Sequence, residues 1–171
     1  MIGLKAGTWL AAFLGPLFVC VSNAYATDIG GSISATLAIT QNSQLVDDVT
    51  CSVTGAPCIA ITAPNVTLNL NGFTMTGQAD SQKPCTGAPV AGEEGIEVNT
   101  QTGVTILGPG LIRQFRAPGI RLITTTGVTV TGVTTSTNCM SGILVNAGSS
   151  NELDNNVSIR NGVPTGGCGG I

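Results

Sequence analysis

Residues 119–145, GIRLITTTGVTVTGVTTSTNCMSGILV, begin and end on the same phrase. Gly-Ile opens each copy, and the next apolar residue on the same side follows two places on: Leu122 in the first, Val145 in the second. Outward from this stretch the phrase recurs as GIEV at 95–98 and, with Cys for Gly, as CIAI at 58–61. A bare Gly170-Ile171 opens a further copy. The isoleucines at 59, 96, 120, 143 and 171 are 37, 24, 23 and 28 residues apart. A repeat of roughly 20–30 residues marks a solenoid, in which each coil buries its apolar side only by stacking on its neighbours.

Within the copies apolar and polar residues alternate with period two, as half-buried strands do. Ile59, Ile61, Val66, Leu68 and Leu70 share one side, against Thr67 and Asn69. Ile96, Val98, Val104 and Ile106 follow, then Ile120, Leu122, Val128 and Val130, then Ile143, Val145, Leu153, Val157 and Ile159. Registered on Gly-Ile, these residues predict inward columns, with Val66, Val104 and Val128 in one of them. Pro64-Asn65, Asn71-Gly72, Pro109-Gly110, Pro118-Gly119, Gly127, Gly132 and Asn161-Gly162 supply the corners. No segment between them has helical periodicity, and a coil of this length most simply holds three short strands. The pattern therefore predicts a parallel β-helix rather than a sandwich.

Two regions depart from the repeat. Residues 78–94 (QADSQKPCTGAPVAGEE) read as a loop thrown out from a corner. Residues 28–52 carry weaker patterns and are expected to form an irregular first coil covering the N-terminal edge. No such cover follows the last Gly-Ile, so the chain is expected to be the N-terminal part of a longer or truncated product.

The first 26 residues have the layout of a secretory leader: Lys5, an apolar stretch at 9–21, and Ala24-Tyr25-Ala26 as a cleavage site. Val19 before Cys20 does not suit a lipoprotein signal, and cleavage after Ala26 leaves residues 27–171 as one domain. That domain carries five Lys/Arg and nine Asp/Glu, a net charge of −4. Nucleic acid is not an expected partner, because phosphate binding needs a basic patch. After leader removal no apolar run is long enough for a membrane partner. The expected location is secreted, periplasmic or at the cell surface.

Export permits disulfides among Cys51, Cys58, Cys85, Cys139 and Cys168. Cys51 and Cys58 flank a Thr-Gly-Ala-Pro turn and form the first expected pair. Cys139 and Cys168 precede successive Gly-Ile phrases and would stack ~4.8 Å apart, within disulfide reach. The alternative joins Cys85 to Cys139 and leaves Cys168 over.

The stretch ITAPNVTLNLNGFTMTG at 61–77, followed by the Gly-Ile coils, resembles the secreted parallel β-helix repeat proteins of the pectin-lyase-like superfamily. The resemblance runs from about Leu37 onward and implies a right-handed β-helix. The superfamily includes pectate lyases, polygalacturonases, mannuronan epimerases, periplasmic proteins and adhesins, so it implies no single chemistry.

Histidine is absent from the chain, which removes histidine bases, histidine metal sites and Ser-His-Asp catalysis. It also removes the histidine of the polygalacturonase and epimerase motifs, and Asp47-Asp48 is the only adjacent aspartate pair. A polysaccharide lyase would draw its base from Arg113, Arg116 or Arg121 and Ca²⁺ ligands from Asp80, Glu93 and Glu94. The plainer expectation stacks Glu97 on Arg121 as a surface ion pair and leaves Arg113 and Arg116 solvated at corners. Thr67, Thr105 and Thr129 fall in one outward column. An ice-binding array would repeat Thr-x-Thr in every coil, but the second position reads Asn69, Leu107 and Thr131. Asn138 and Asn161 stand at matching corners, where stacked amides bond along the solenoid. Asn65-Val66-Thr67 and Asn156-Val157-Ser158 match the glycosylation sequon.

These features predict an all-β, right-handed parallel β-helix of about four to five coils, with an N-terminal cap coil and no C-terminal cap. The expected function is a secreted scaffold or binding surface for extracellular polysaccharide, with no catalytic site and no cofactor. A lyase using Ca²⁺ and completed beyond residue 171 is the alternative, and an adhesin or surface-layer passenger a further one.

Overall fold

The computed structural model describes residues 27–79, 85 and 88–162. The expected leader at 1–26, Asp80, Cys168 and Gly170-Ile171 lie outside the described residues. The described chain is all-β and without helices. Its strands, in order, are β1 (Thr27–Ile33), β2 (Leu37–Ile39), β3 (Ser43–Cys51), β4 (Ile59–Ile61), β5 (Thr67–Asn69), β6 (Thr74–Thr76) and β7 (Ile96–Asn99), then β8 (Thr105–Arg113), β9 (Ile120–Thr126), β10 (Thr129–Ser136), β11 (Ile143–Ser149), β12 (Glu152–Asp154) and β13 (Val157–Ile159).

They form two sheets. The first runs β1-β3-β5-β8-β10-β12, with β6 between β3 and β8 and β13 beside β10; the second runs β2-β4-β7-β9-β11. Every pairing is parallel. Parallel neighbours cannot be joined by hairpins, so each pass of chain travels round to stack on the previous one. The arrangement is consistent with a β-helix.

Registered neighbours fill the interior with like on like. Ile59, Ile96, Ile120 and Ile143 form one column and Ile61, Val98 and Leu122 the next. Leu68, Ile106 and Val130 form a third across the first sheet, and Met75 sits on Ile112 in a fourth. All are buried, and each contributes ~1.5–3 kcal/mol of burial before conformational entropy is set against it.

The Gly-Ile phrase has a geometric cause. The amide of Ile96 donates to the carbonyl of Gly119 at 3.0 Å, and that of Ile120 to Gly142 at 3.0 Å. These bonds bring the turns together until a Cβ on Gly95 would stand 2.6 Å from the Gly119 oxygen, and one on Gly119 2.8 Å from the Gly142 oxygen. Gly is needed for the approach, and Ile fills the interior beside it.

The corners follow a second rule. Asn138, Asn151, Asn156 and Asn161 each accept the amide 23 residues earlier, on Phe115, Val128, Val133 and Asn138. Each also donates to the carbonyl 26 residues earlier, on Ile112, Thr125, Val130 and Thr135. One amide side chain thus satisfies a donor and an acceptor that the bend leaves without strand partners. Asn156, in one of the two glycosylation sequons, is engaged in this way.

Residues 28–52 form β1–β3, with Ile29 on Leu45 and Leu37 on Ile59, and the β1–β3 register shifts between Ile29 and Gly31. Two expectations are corrected. Val157 and Ile159 face outward and are 46% and 43% exposed. Their neighbour Ser158 continues the inward column through Thr135 to Ile112, because Asn156 fixes the parity of β13 from the corner. Finally, Cys51 bonds Cys58 as expected, and Cys139 is joined not to Cys168 but to Cys85, the alternative read from the sequence. That link ties the 78–94 loop to a later turn. The two disulfides are compatible with an extracellular protein, and no helix among the described residues is long and apolar enough to cross a membrane.

Candidate functional site

Two surfaces are candidates: a charged corner between the sheets, and the outward face of the first sheet.

The corner gathers the residues after β6, after β8 and before β7. Glu93 is buried and grips Arg116 with both oxygens, Oε2 to Nε at 2.5 Å and Oε1 to Nη2 at 2.9 Å. Its Oε1 also accepts the Gly55 amide at 2.9 Å. Glu94, 1% exposed, meets Arg121 Nη1 at 2.9 Å, whereas Glu97 lies 4.0 Å from the same nitrogen. Arg116 is therefore not the solvated corner residue expected; it is half-buried in a two-bond clasp. Glu97 and Arg121 do sit in register across β7 and β9, but the closer partner is Glu94. Sequence spacing missed both clasps because they cross a corner through a loop of irregular length. The only available signal was the Glu-Glu pair immediately before Gly95-Ile96.

Glu94 Oε2 and Arg121 Nε have no hydrogen-bond partner. Beside Glu93 and Glu94, a recess lined by the Cys51–Cys58 disulfide, Phe115 and Arg116 offers about 10 Å³. That is room for about one water molecule, not for a sugar. Among the described residues no group of three or more His, Cys, Asp or Glu stands close enough to hold a metal ion. Arg113 is apart from this corner, exposed on the first sheet, with its Nε donating to Thr76 Oγ1 at 3.2 Å. Of the proposed lyase residues, the fold brings together Glu93 with Arg116 and Glu94 with Arg121, as ion pairs, and leaves Arg113 outside.

Glu97 gives stability a pH dependence. Burial, then the neighbouring Glu94 charge, push its carboxyl above the ordinary value, with Arg121 opposing. The native state thus favours protonated Glu97, and that contribution is lost as pH rises through the raised value. Glu97→Gln is expected to unfold at a higher temperature than wild type at pH 7. The two should converge below the ordinary glutamate range; melting curves from pH 3 to 8 check this.

The first sheet's outward face is different in kind. Thr67, Thr105, Thr129 and Glu152 form one column. Asp28, Gln44, Asn69, Leu107, Thr131 and Asp154 form the next. Beyond the corner, Thr74, Leu111, Thr134 and Val157 lie beside Thr76, Arg113, Ser136 and Ile159. Rungs recur every ~4.8 Å, giving a stacked surface on which threonine is the commonest residue. The outward Thr column read from the sequence is present, and the position beside it is irregular as read.

No protein-family model, no curated protein and no solved structure matches this chain.

Proposed function

We propose that this chain is a secreted right-handed parallel β-helix protein of the pectin-lyase-like kind, acting as a scaffold and binding surface for extracellular carbohydrate. The observation that carries the reading is the outward face of the first sheet, where Thr67, Thr105 and Thr129 stack in register beside Asn69 and Thr131. Hydroxyls both donate and accept hydrogen bonds. Repeated at a fixed rise along a rigid stack, they match a polymer that repeats its own hydroxyls. The leader-like first 26 residues and the two disulfides support export. At the charged corner the two guanidiniums are already held by carboxylates, and the recess beside them is smaller than a sugar ring. This favours a binding role over lyase chemistry there.

Affinity electrophoresis through gels cast with individual polysaccharides tests the proposal. At least one polymer should retard the wild-type protein. The double variant Thr105→Glu/Thr129→Lys replaces the hydroxyls with a cross-strand pair of opposite charge, which strands tolerate. It should lose at least about tenfold in affinity, every 1.4 kcal/mol being tenfold, while keeping its unfolding midpoint. Free migration of the wild type through every polymer would sink the reading.

A further inference from the structure

We infer that residues 107–111 form a subsite for an uncharged sugar unit, an apolar pad that seats the ring's C–H face while the flanking columns bond its hydroxyls. This rests on the carbohydrate reading above and narrows it to neutral polysaccharides.

The pad interrupts a polar belt at β8; the other exposed apolar residues of this sheet are Val46 on β3 and Val157 and Ile159 on β13. Leu107 takes the outward position between Asn69 and Thr131, and Leu111 that between Thr74 and Thr134. Both are half-buried, and Pro109 between them is exposed. The turns on either side put glycine next to that corner. Gly72 donates its amide to the Pro109 carbonyl at 2.6 Å, and Gly132 lies against Gly108. Neither glycine has a side chain to cover the proline. Phe73, half-buried and packed against the core, accepts the Leu111 amide on its carbonyl at 3.1 Å. Interior packing does not account for these outward leucines, since Ile106 and Ile112 fill the core beneath them. Sugar-binding surfaces pair such apolar walls with a few placed polar groups. Here Thr105 and Thr129 in the adjoining column, and Thr131 and Thr134 on the next rung, supply them.

Charge then selects the class of polymer. On the three rungs β5/β6, β8 and β10 the outward columns hold a single charged side chain, Arg113, already hydrogen-bonded to Thr76. Carboxylates bracket that belt: Asp28, Asp47 and Asp48 on the earlier rungs, Glu152 and Asp154 on the later ones, with Arg160 the other cation at that end. Asp154 stands in the same column as Leu107, two rungs on. That is roughly 10 Å at the usual strand spacing, comparable to the Debye length in 0.1 M salt. A uronate, sulfate or phosphate polymer laid across the pad meets like charge at both ends; a neutral chain does not.

The test uses the mature chain with hydroxyethyl cellulose and xyloglucan as neutral polymers and polygalacturonate and alginate as anionic ones, at low salt. Neutral polymers are expected to bind and anionic ones to bind at least about tenfold more weakly, or 1.4 kcal/mol. Leu107→Thr, which matches its own column, and Leu111→Thr are expected to lose about tenfold on the neutral polymers with unchanged melting. If either variant melts early, Leu107→Ala and Leu111→Ala replace them. Neutral binding that survives loss of both leucines would overturn the pad. Stronger binding to the uronate polymers would overturn the neutral class while leaving a carbohydrate surface standing. Binding to no polymer would remove the carbohydrate reading, and this inference with it.

Discussion

Gly95→Val is expected to abolish the cooperative unfolding transition, or to leave the protein insoluble. The new Cβ would stand 2.6 Å from the Gly119 carbonyl oxygen, 2.9 Å from Ile112 Cγ2 and 3.0 Å from Phe115 Cε2. None of the three can yield easily. The carbonyl accepts the Ile96 amide, and both side chains are buried in the core. Overpacking a core typically costs ~1–3 kcal/mol. With a backbone atom as the obstacle and two further methyl groups to place, we expect about 4 kcal/mol or more, against a total stability of roughly 5–15 kcal/mol for a domain. Gly55→Ala is the control. Its φ of 70° disfavours alanine, but nothing lies within 4 Å of the added carbon, so the cost should be confined to ~1–2 kcal/mol of left-handed strain. Urea titration of both variants gives the comparison. A wild-type midpoint for Gly95→Val would mean that successive Gly-Ile phrases are not in contact.

Asn138→Leu comes next in size. Asn138 is fully buried, and its side chain accepts the Phe115 amide at 3.0 Å while donating to the Ile112 carbonyl at 3.2 Å and to Asn161 Oδ1 at 3.0 Å. Leucine has a similar volume, so the loss is polar rather than steric. An amide and a carbonyl are left buried without partners, at about 1–3 kcal/mol each; we expect about 3 kcal/mol in all. Asn156→Ala, at a less buried corner with the same two kinds of bond, should cost about 1 kcal/mol. Equal midpoints for the two variants would show that the corner amides do not gain their value from burial.

The sequence was most legible where the chain repeats itself. Gly-Ile spacing and period-two alternation sufficed to place Val66, Val104 and Val128 in one column and Thr67, Thr105 and Thr129 in the next, because parallel stacking transmits register from turn to turn. The matching corners of Asn138 and Asn161 were visible for the same reason. Legibility failed where local chemistry overrides hydrophobic parity. Val157 and Ile159 look like interior residues, yet Asn156 reaches back to Val133 and sets β13 so that Ser158 points inward. It failed again in the 78–94 loop, which has no period. Nothing in the spacing chose Cys85 over Cys168 as the partner of Cys139, or paired Glu93 with Arg116 or Glu94 with Arg121. Those partners are set by where the loop lands on the corner, which depends on three dimensions rather than on distance along the chain. The outward leucines at 107 and 111 were countable in the sequence. Their meaning as a break in a polar belt emerged only once each had neighbours on the adjoining rungs.

The claim that the outward face of the first sheet binds carbohydrate is tested most directly by a heteronuclear NMR titration of residues 27–171 with a soluble neutral oligosaccharide. The account predicts saturable shifts confined to amides of β5, β8 and β10, largest around Leu107–Leu111 and the Thr105–Thr129 pair. Shifts centred on Arg116 and Arg121 at the charged corner, or a spectrum unmoved at saturating sugar, would contradict it.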